Sequence, residues 1–284
     1  MSKNPTNPAD IRLIVNADDY GYTRSVSQGI LDAACEGAVN ATGIMANGVC
    51  LDTMLPELAT VENLDTGVHL NLTYGNPLTS EMKKAVSGWG GSFPGKYEMA
   101  VAVMSGKIRQ DTLEKEFSAQ IEQCMQHGIK LRFLNSHEHI HMLPSIYRLT
   151  ASLARQFKIP FVRHTTMEWA GLPGAKAVLR NVIIGSLNLR NVQTQDPCRV
   201  TCIGIGSSGR LNHAYLSKLF SRLRPGHVYE LMCHPGHFDP AEIKDGRLIG
   251  YHSWEAEQAL LTGNGFRELR REYGIELARY SELV

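Results

Sequence analysis

The chain lacks most of what would tie it to a membrane, a nucleic acid or an oxidising compartment. No uninterrupted apolar run approaches the length needed to span a bilayer. The stretch from Met1 to Asp10 is polar and is interrupted by Pro5 and Pro8, without the apolar centre of a signal peptide. Lysine plus arginine number 29 against 28 aspartate plus glutamate, and the formal charge of +1 offers neither a basic face for nucleic acid nor an acidic field. The six cysteines (Cys35, Cys50, Cys124, Cys198, Cys202, Cys233) are scattered, mostly within apolar segments, and form no Cys-x-x-Cys pair. They read as reduced packing residues of a cytoplasmic protein. No repeat, low-complexity tract or linker divides the 284 residues, so one domain over 1–284 is expected, a length that α/β barrels reach as a single unit.

What is present is a steady alternation of short apolar strands and amphipathic helices, the pattern of a parallel sheet. Strands are predicted at Ile11 to Val15, Ala41 to Ala46, Gly67 to Leu72, Leu131 to Asn135, Phe161 to His164, Val200 to Ile205 and Val228 to Cys233. Helices are predicted at Arg24 to Glu36, ending at Gly37, and around Leu51 to Ala59, Pro144 to Phe157 and Asn212 to Leu223, with a longer one from Trp254 broken near Gly263. Another begins at Asp111, where Asp111 and Glu114 have capping-box spacing. About seven strands, most followed by a helix, predict a distorted (β/α) barrel. The region from Gly171 to Gln195 has no readable period. From Thr73 to Lys107 glycines and prolines break the pattern, with Trp89, Phe93 and Tyr97 interspersed, which predicts an irregular insert or lid. Its aromatics suit stacking on a ligand and, equally, packing or an oligomer contact.

The first strand runs straight into Asp18 and Asp19. Two like charges at the edge of a core resist joint ionisation, so one needs a cation or a proton. A divalent metal would supply the cation, leaving the other carboxylate beside a metal-bound water; an Asp-rich turn capping the next helix is the bland alternative. His69, His137, Arg163 and His234 also fall at or near the ends of predicted strands, and in a barrel those ends share the face where active sites form. An Asp with two or three His suits zinc, manganese, nickel or cobalt, and magnesium where carboxylate and water dominate. Of His137, His139 and His141, His137 is the expected ligand and the other two contact substrate or support the ligands. His237 is a further substrate contact. Gly204 to Gly209 matches G-x-G-x-x-G with Glu230 about twenty residues on, but the first strand carries Asp-Asp instead, and the stretch reads as a loop near substrate. Cys233 reads as buried packing beside His234.

Four blocks, NADDYG (Asn16 to Gly21), GVHLNLT (Gly67 to Thr73), SHEHIHMLP (Ser136 to Pro144) and ELMCHPG (Glu230 to Gly236), together resemble the YdjC-like carbohydrate deacetylases. The resemblance implies metal-dependent removal of acetyl groups from N-acetylated sugars by a barrel related to those of polysaccharide deacetylases. It implies Asp19, His69 and His137 as metal ligands and Asp18 as catalytic base. By looser analogy His234 is the general acid and Arg163 orients the base, with Asn71 among the substrate contacts. Asn135 departs from the Asp, and Glu138 from the His or Gln, that the family often has. The expected partner is a small carbohydrate, with no nucleic acid or membrane and with a homodimer left open. Rival expectations are an amidohydrolase or phosphoesterase using the same constellation, or a sugar-binding protein without catalysis.

Overall fold

The computed structural model describes residues 11–168, 175–191 and 200–284. In chain order the elements are β1 (Ile11–Tyr20), α1 (Arg24–Cys35), β2 (Ala41–Ile44), α2 (Leu51–Leu58), β3 (Asp65–Leu70), α3 (Ser80–Ala85), α4 (Lys96–Met104), α5 (Gln110–Gln126), β4 (Leu131–Ser136) and α6 (Pro144–Gln156). They continue with β5 (Phe161–Val162), β6 (His164–Thr165), α7 (Ala175–Asn191), β7 (Val200–Ile203), α8 (His213–Phe220), β8 (Val228–Cys233), α9 (Gly246–Tyr251), α10 (Trp254–Thr262), α11 (Asn264–Glu272) and β9 (Ile275–Leu277). All pairings are parallel, in the order β5-β4-β3-β2-β1-β8-β7-β6, with β9 on the first residues of β1. Because β5 and β6 are consecutive pieces separated by Arg163, one pairing β4 and the other β7, the sheet curls into a nearly closed barrel. Arg163 sits at the seam.

The strand period of two sorts side chains into an inner and an outer set. On β1, Leu13, Val15 and Ala17 face outward into the main core beneath the helices, while Ile14 joins Phe133, Phe161, Val200 and Tyr280 inside the barrel. Above that apolar floor the inner positions turn polar: Asn16, Asp18, Asn135, Arg163 and Glu230 are all buried. The site is therefore the upper storey of the barrel interior.

Several expectations need correction. The insert is not irregular: α3 and α4 lie within it, and α5 holds its base, with Glu116 accepting hydrogen bonds from the Leu78 and Thr79 amides and the Thr79 hydroxyl. Asp111 does not cap α5; the N-cap is Arg109, which pairs with Asp111. The unreadable region contains α7 from Ala175; residues 171–174 and 192–195 of it lie outside the described residues, as does Cys198. Cys35 is exposed, whereas Cys124, Cys202 and Cys233 are buried free thiols.

Gly29 of α1 fixes the chain after β8. A Cβ there would stand 2.5 Å from the Cα of Gly236, two residues past His234. Gly29→Ala should therefore cost about 1–3 kcal/mol, as overpacked sites do, and lower the thermal midpoint; an unchanged midpoint would show that this approach is slack.

Candidate active site and metal centre

The two adjacent carboxylates point to different partners. Alternation along β1 directs Asp18 into the barrel and would send Asp19 out. However, the pairing with β2 shifts between Ala17 and Tyr20, and Asp19 has a left-handed backbone, φ 74°. Strain of this kind in a non-glycine residue persists where surrounding structure holds it. It brings Asp19 Oδ1 to 3.2 Å from His69 Nε2 on β3 and 3.1 Å from His137 Nδ1 just past β4. One ligand atom from each of these three buried residues lies within 4.8 Å of the others. Burial opposes ionisation of Asp19, but His137 and His69 outweigh it and hold the carboxyl well below its usual range.

Asp18 faces Arg163 instead. Nη1 of the guanidinium donates to Asp18 Oδ2 at 2.6 Å and Nη2 to Oδ1 at 2.8 Å. Nε donates to Glu230 Oε1 at 2.8 Å, where Asn16 Nδ2 also donates at 2.8 Å. Burial raises the Asp18 pKa, yet Arg163 and then His69 bring it down to about 2. Asp18 is thus an oriented, ionised carboxylate across the neutral range.

Asn135 joins the two halves and settles a tautomer. Its Nδ2 donates to Asp18 Oδ1 at 2.9 Å, so its Oδ1 is the atom 2.8 Å from His69 Nδ1 and must accept from it. A neutral His69 then presents the lone pair of Nε2 to the Asp19 carboxylate. Two acceptors facing each other call for a cation, either a proton on the imidazole or a metal ion. The donor set of one carboxylate and two imidazoles suits a divalent metal, and the outward hydrogen bond that fixes His69 is the usual support for a metal-binding histidine.

The remaining expected residues divide. His234 is buried at the end of β8; its amide donates to Glu257 at 2.7 Å and its Nδ1 has no hydrogen-bond partner among the described residues. His252 lies against it, ring centroids 4.8 Å apart, held neutral because burial and His234 push its pKa down to about 3. His139 is partly buried, with Nδ1 3.1 Å from the Thr165 hydroxyl. His141 is spent on the protein, its ring nitrogens 2.6 Å from the Ser136 hydroxyl and 3.1 Å from the Arg163 carbonyl. Asn71 is spent likewise: its side chain accepts from the Thr73 and Tyr74 amides and donates to Asn47 and the Tyr74 carbonyl. His237 lies on the outer side, pairing with Asp32 of α1 at 2.7 Å. Sequence reasoning missed Asn16 and Glu230 as partners of the Asp18 clamp; their even spacing from Asp18 and His234 was the available signal. It also missed Tyr22 and Tyr74, whose rings meet at 4.5 Å beside His137 and form an aromatic wall.

The glycine loop after β7 is occupied from within. Glu168 accepts from the Gly204 amide at 2.7 Å and the Gly206 amide at 3.1 Å, and the Tyr215 hydroxyl donates to the same carboxylate. An internal carboxylate takes the place that a phosphate takes in dinucleotide-binding loops.

A parallel α/β barrel with a buried Asp-His-His cluster and an arginine-clamped carboxylate at the C-terminal ends of its strands is the class that fold and site define. The chain belongs to the YdjC-like protein family, whose sequence model matches residues 12–272. It is similar to proteins named carbohydrate deacetylase: 27% identical over 95% of this chain and 96% of the protein from Geobacillus stearothermophilus, and 28% over 96% and 91% for one from Homo sapiens. Among solved structures, one from Enterococcus faecalis V583 superposes with a TM-score of 0.77 at 24% identity, covering 97% of this chain and 99% of that one, which establishes the fold.

Proposed function

We propose that the protein is a metal-dependent deacetylase of N-acetylated sugars. The observation that carries this reading is the division of labour between the adjacent carboxylates, Asp19 turned to two imidazoles and Asp18 held by a guanidinium. Asp19, His69 and His137 would hold the ion. A divalent metal there acts as a Lewis acid, polarising an acyl carbonyl and acidifying a water. Asp18 accepts the proton of the attacking water; the Arg163 clamp keeps it ionised and aimed while lowering its basicity. His234, whose Nδ1 has no partner among the described residues, donates a proton to the sugar nitrogen as the C–N bond breaks, so that it leaves as an amine. The names of the relatives support the substrate class, and the exposed Tyr74 ring, backed by the buried Tyr22, supplies a surface on which a sugar ring can stack.

The test is acetate release from N-acetylated mono- and oligosaccharides by metal-stripped protein, with Mg, Zn, Mn, Co or Ni restored in turn. Metal-dependent acetate release supports the reading. Phosphate release from phosphate esters, or no product from any sugar by protein that binds the metal, would overturn it. Tyr74→Ala should raise KM about three- to tenfold with kcat little changed, the size of an aromatic stacking contact. An unaltered KM would remove Tyr74 from the substrate surface.

A further inference from the structure

Glu257 of α10 is a buried carboxylate that the mechanism leaves unused. One of its oxygens accepts from the Leu211 amide at 2.9 Å and the other from the His234 amide at 2.7 Å. Backbone donors on both oxygens favour the ionised form of a carboxyl. Burial raises its pKa, and His234, ahead of the two amides, brings it back down. Among the described residues no lysine or arginine pairs with it. Buried charges are ordinarily paired, and the base on the residue that this carboxylate binds is the His234 imidazole.

The groups that face His234 decide where a proton settles. Asp18 faces it from β1, but that carboxylate already meets the Arg163 guanidinium through both oxygens. Cys233, beside it in β8, is a buried thiol whose pKa burial pushes up, so it is uncharged. His252, from the turn after α9, lies against His234 and is stacked on Trp254, with centroids 4.9 Å apart. Two imidazoles with centroids 4.8 Å apart do not both carry a proton, and the Glu257 carboxylate is bonded to His234. No hydrogen bond to Nδ1 favours the charged ring among the described residues, so a field has to.

The glycine loop after β7 frames this arrangement. Leu211, two residues past Gly209, holds Glu257, and the Gly209 carbonyl accepts from the Ser253 amide at 2.7 Å, fixing the residue after His252. Gly209 has φ 75°, and a Cβ there would stand 2.9 Å from the Tyr251 carbonyl oxygen and 3.1 Å from His252 Nδ1. The loop thus serves the site through its backbone, by setting a carboxylate and a neutral ring beside His234.

We propose that Glu257 is a positioning residue, the counter-charge that keeps a proton on the His234 imidazole in preference to His252. Its meaning for catalysis rests on the reading of His234 as the acid; the place of the proton does not.

The experiment is histidine ring NMR of the full chain against pH, without substrate, followed by kinetics of the metal-loaded protein. In wild type the His234 ring should titrate while the His252 ring stays neutral. In Glu257→Gln the His234 midpoint should fall by about one pH unit, the effect of losing a neighbouring charge, and Glu257→Asp should restore most of it. The alkaline limb of kcat on an N-acetylated sugar should move down with it, about tenfold in rate above the limb, with KM little changed. Turnover of nitrophenyl acetate, whose leaving group departs without a proton, should not change. Because coupling is mutual, the Glu257 carboxyl midpoint should rise by about one unit in His234→Gln, which reads the same pair if Glu257→Gln does not fold. An unmoved His234 midpoint in folded Glu257→Gln, an unmoved Glu257 midpoint in His234→Gln, or a wild type in which His252 titrates instead would overturn the proposal. An equal loss on amide and ester would do so too, marking Glu257 as structural. Absence of acetate release from every sugar would sink the deacetylase reading and leave the two titrations to decide this one.

Discussion

Asp18→Asn is expected to keep its metal and to lose turnover by about two to four orders of magnitude, the range for removal of a general base. The substitution preserves shape and removes the charge proposed to accept the proton, while Asp19, His69 and His137 are untouched. Asp19→Asn should behave in the opposite order, losing metal on dialysis before activity is considered. The paired measurement is metal content by elemental analysis alongside acetate release. Near-full turnover in Asp18→Asn, or equal metal loss in both variants, would break the assignment of roles to the two carboxylates. Their contacts make the contrast sharp, since Asp18 meets Arg163 at 2.6 Å and Asp19 meets the imidazoles at 3.1 and 3.2 Å.

Arg163→Met should be the most damaging single change to stability. It leaves the Asp18 and Glu230 carboxylates in the barrel interior without their cation, at a cost of about 3–5 kcal/mol. For a chain of this size that is a fall of roughly 6–15 °C in the thermal midpoint. Adding Glu230→Gln should return part of the loss, because the two sites share one network. The pH dependence has a definite sign. In the native protein Asp18 is depressed to about 2, so its contribution is full above its unfolded value of about 4 and is lost as pH falls from there towards 2. In Arg163→Met burial acts on Asp18 without that cation, its folded pKa rises, and the penalty appears as pH climbs above about 4. The gap between wild type and variant should therefore narrow on acidification; a gap independent of pH would mean that lost packing, not charge, is responsible.

The strand-helix alternation and the placement of polar residues at strand ends were legible because both follow from local periodicity, and the barrel with its gathered Asp18, Asp19, His69, His137, Arg163 and His234 follows from them. What was not legible depended on contacts distant in the chain. Glu230 matched the spacing of a ribose-binding acid, and only closure of β8 beside β1 identifies it as a partner of Arg163. The glycine loop matched a phosphate cradle because the carboxylate that fills it, Glu168, comes from a segment far from it in sequence. Helix α7 escaped because a solvent-facing apolar stripe and a buried asparagine face invert the usual rule. The insert looked irregular because α3 and α4 are short, and the buried Glu116 that anchors its base sits on a different helix.

The seam at Arg163 makes catalytic competence a local property of the barrel. Two residue pairs join β4 to β5 and two join β6 to β7, against six between β1 and β8. Short pairings open at lower free energy than long ones, and opening here would withdraw the guanidinium from Asp18 while most of the sheet stays intact. Inactivation in mild denaturant should then run ahead of the loss of helical signal, with the earliest amide exchange in the sheet at 161–165. The residue that aims the carboxylate is also the one that completes the ring, so a breathing motion too small to count as unfolding is enough to switch the site off.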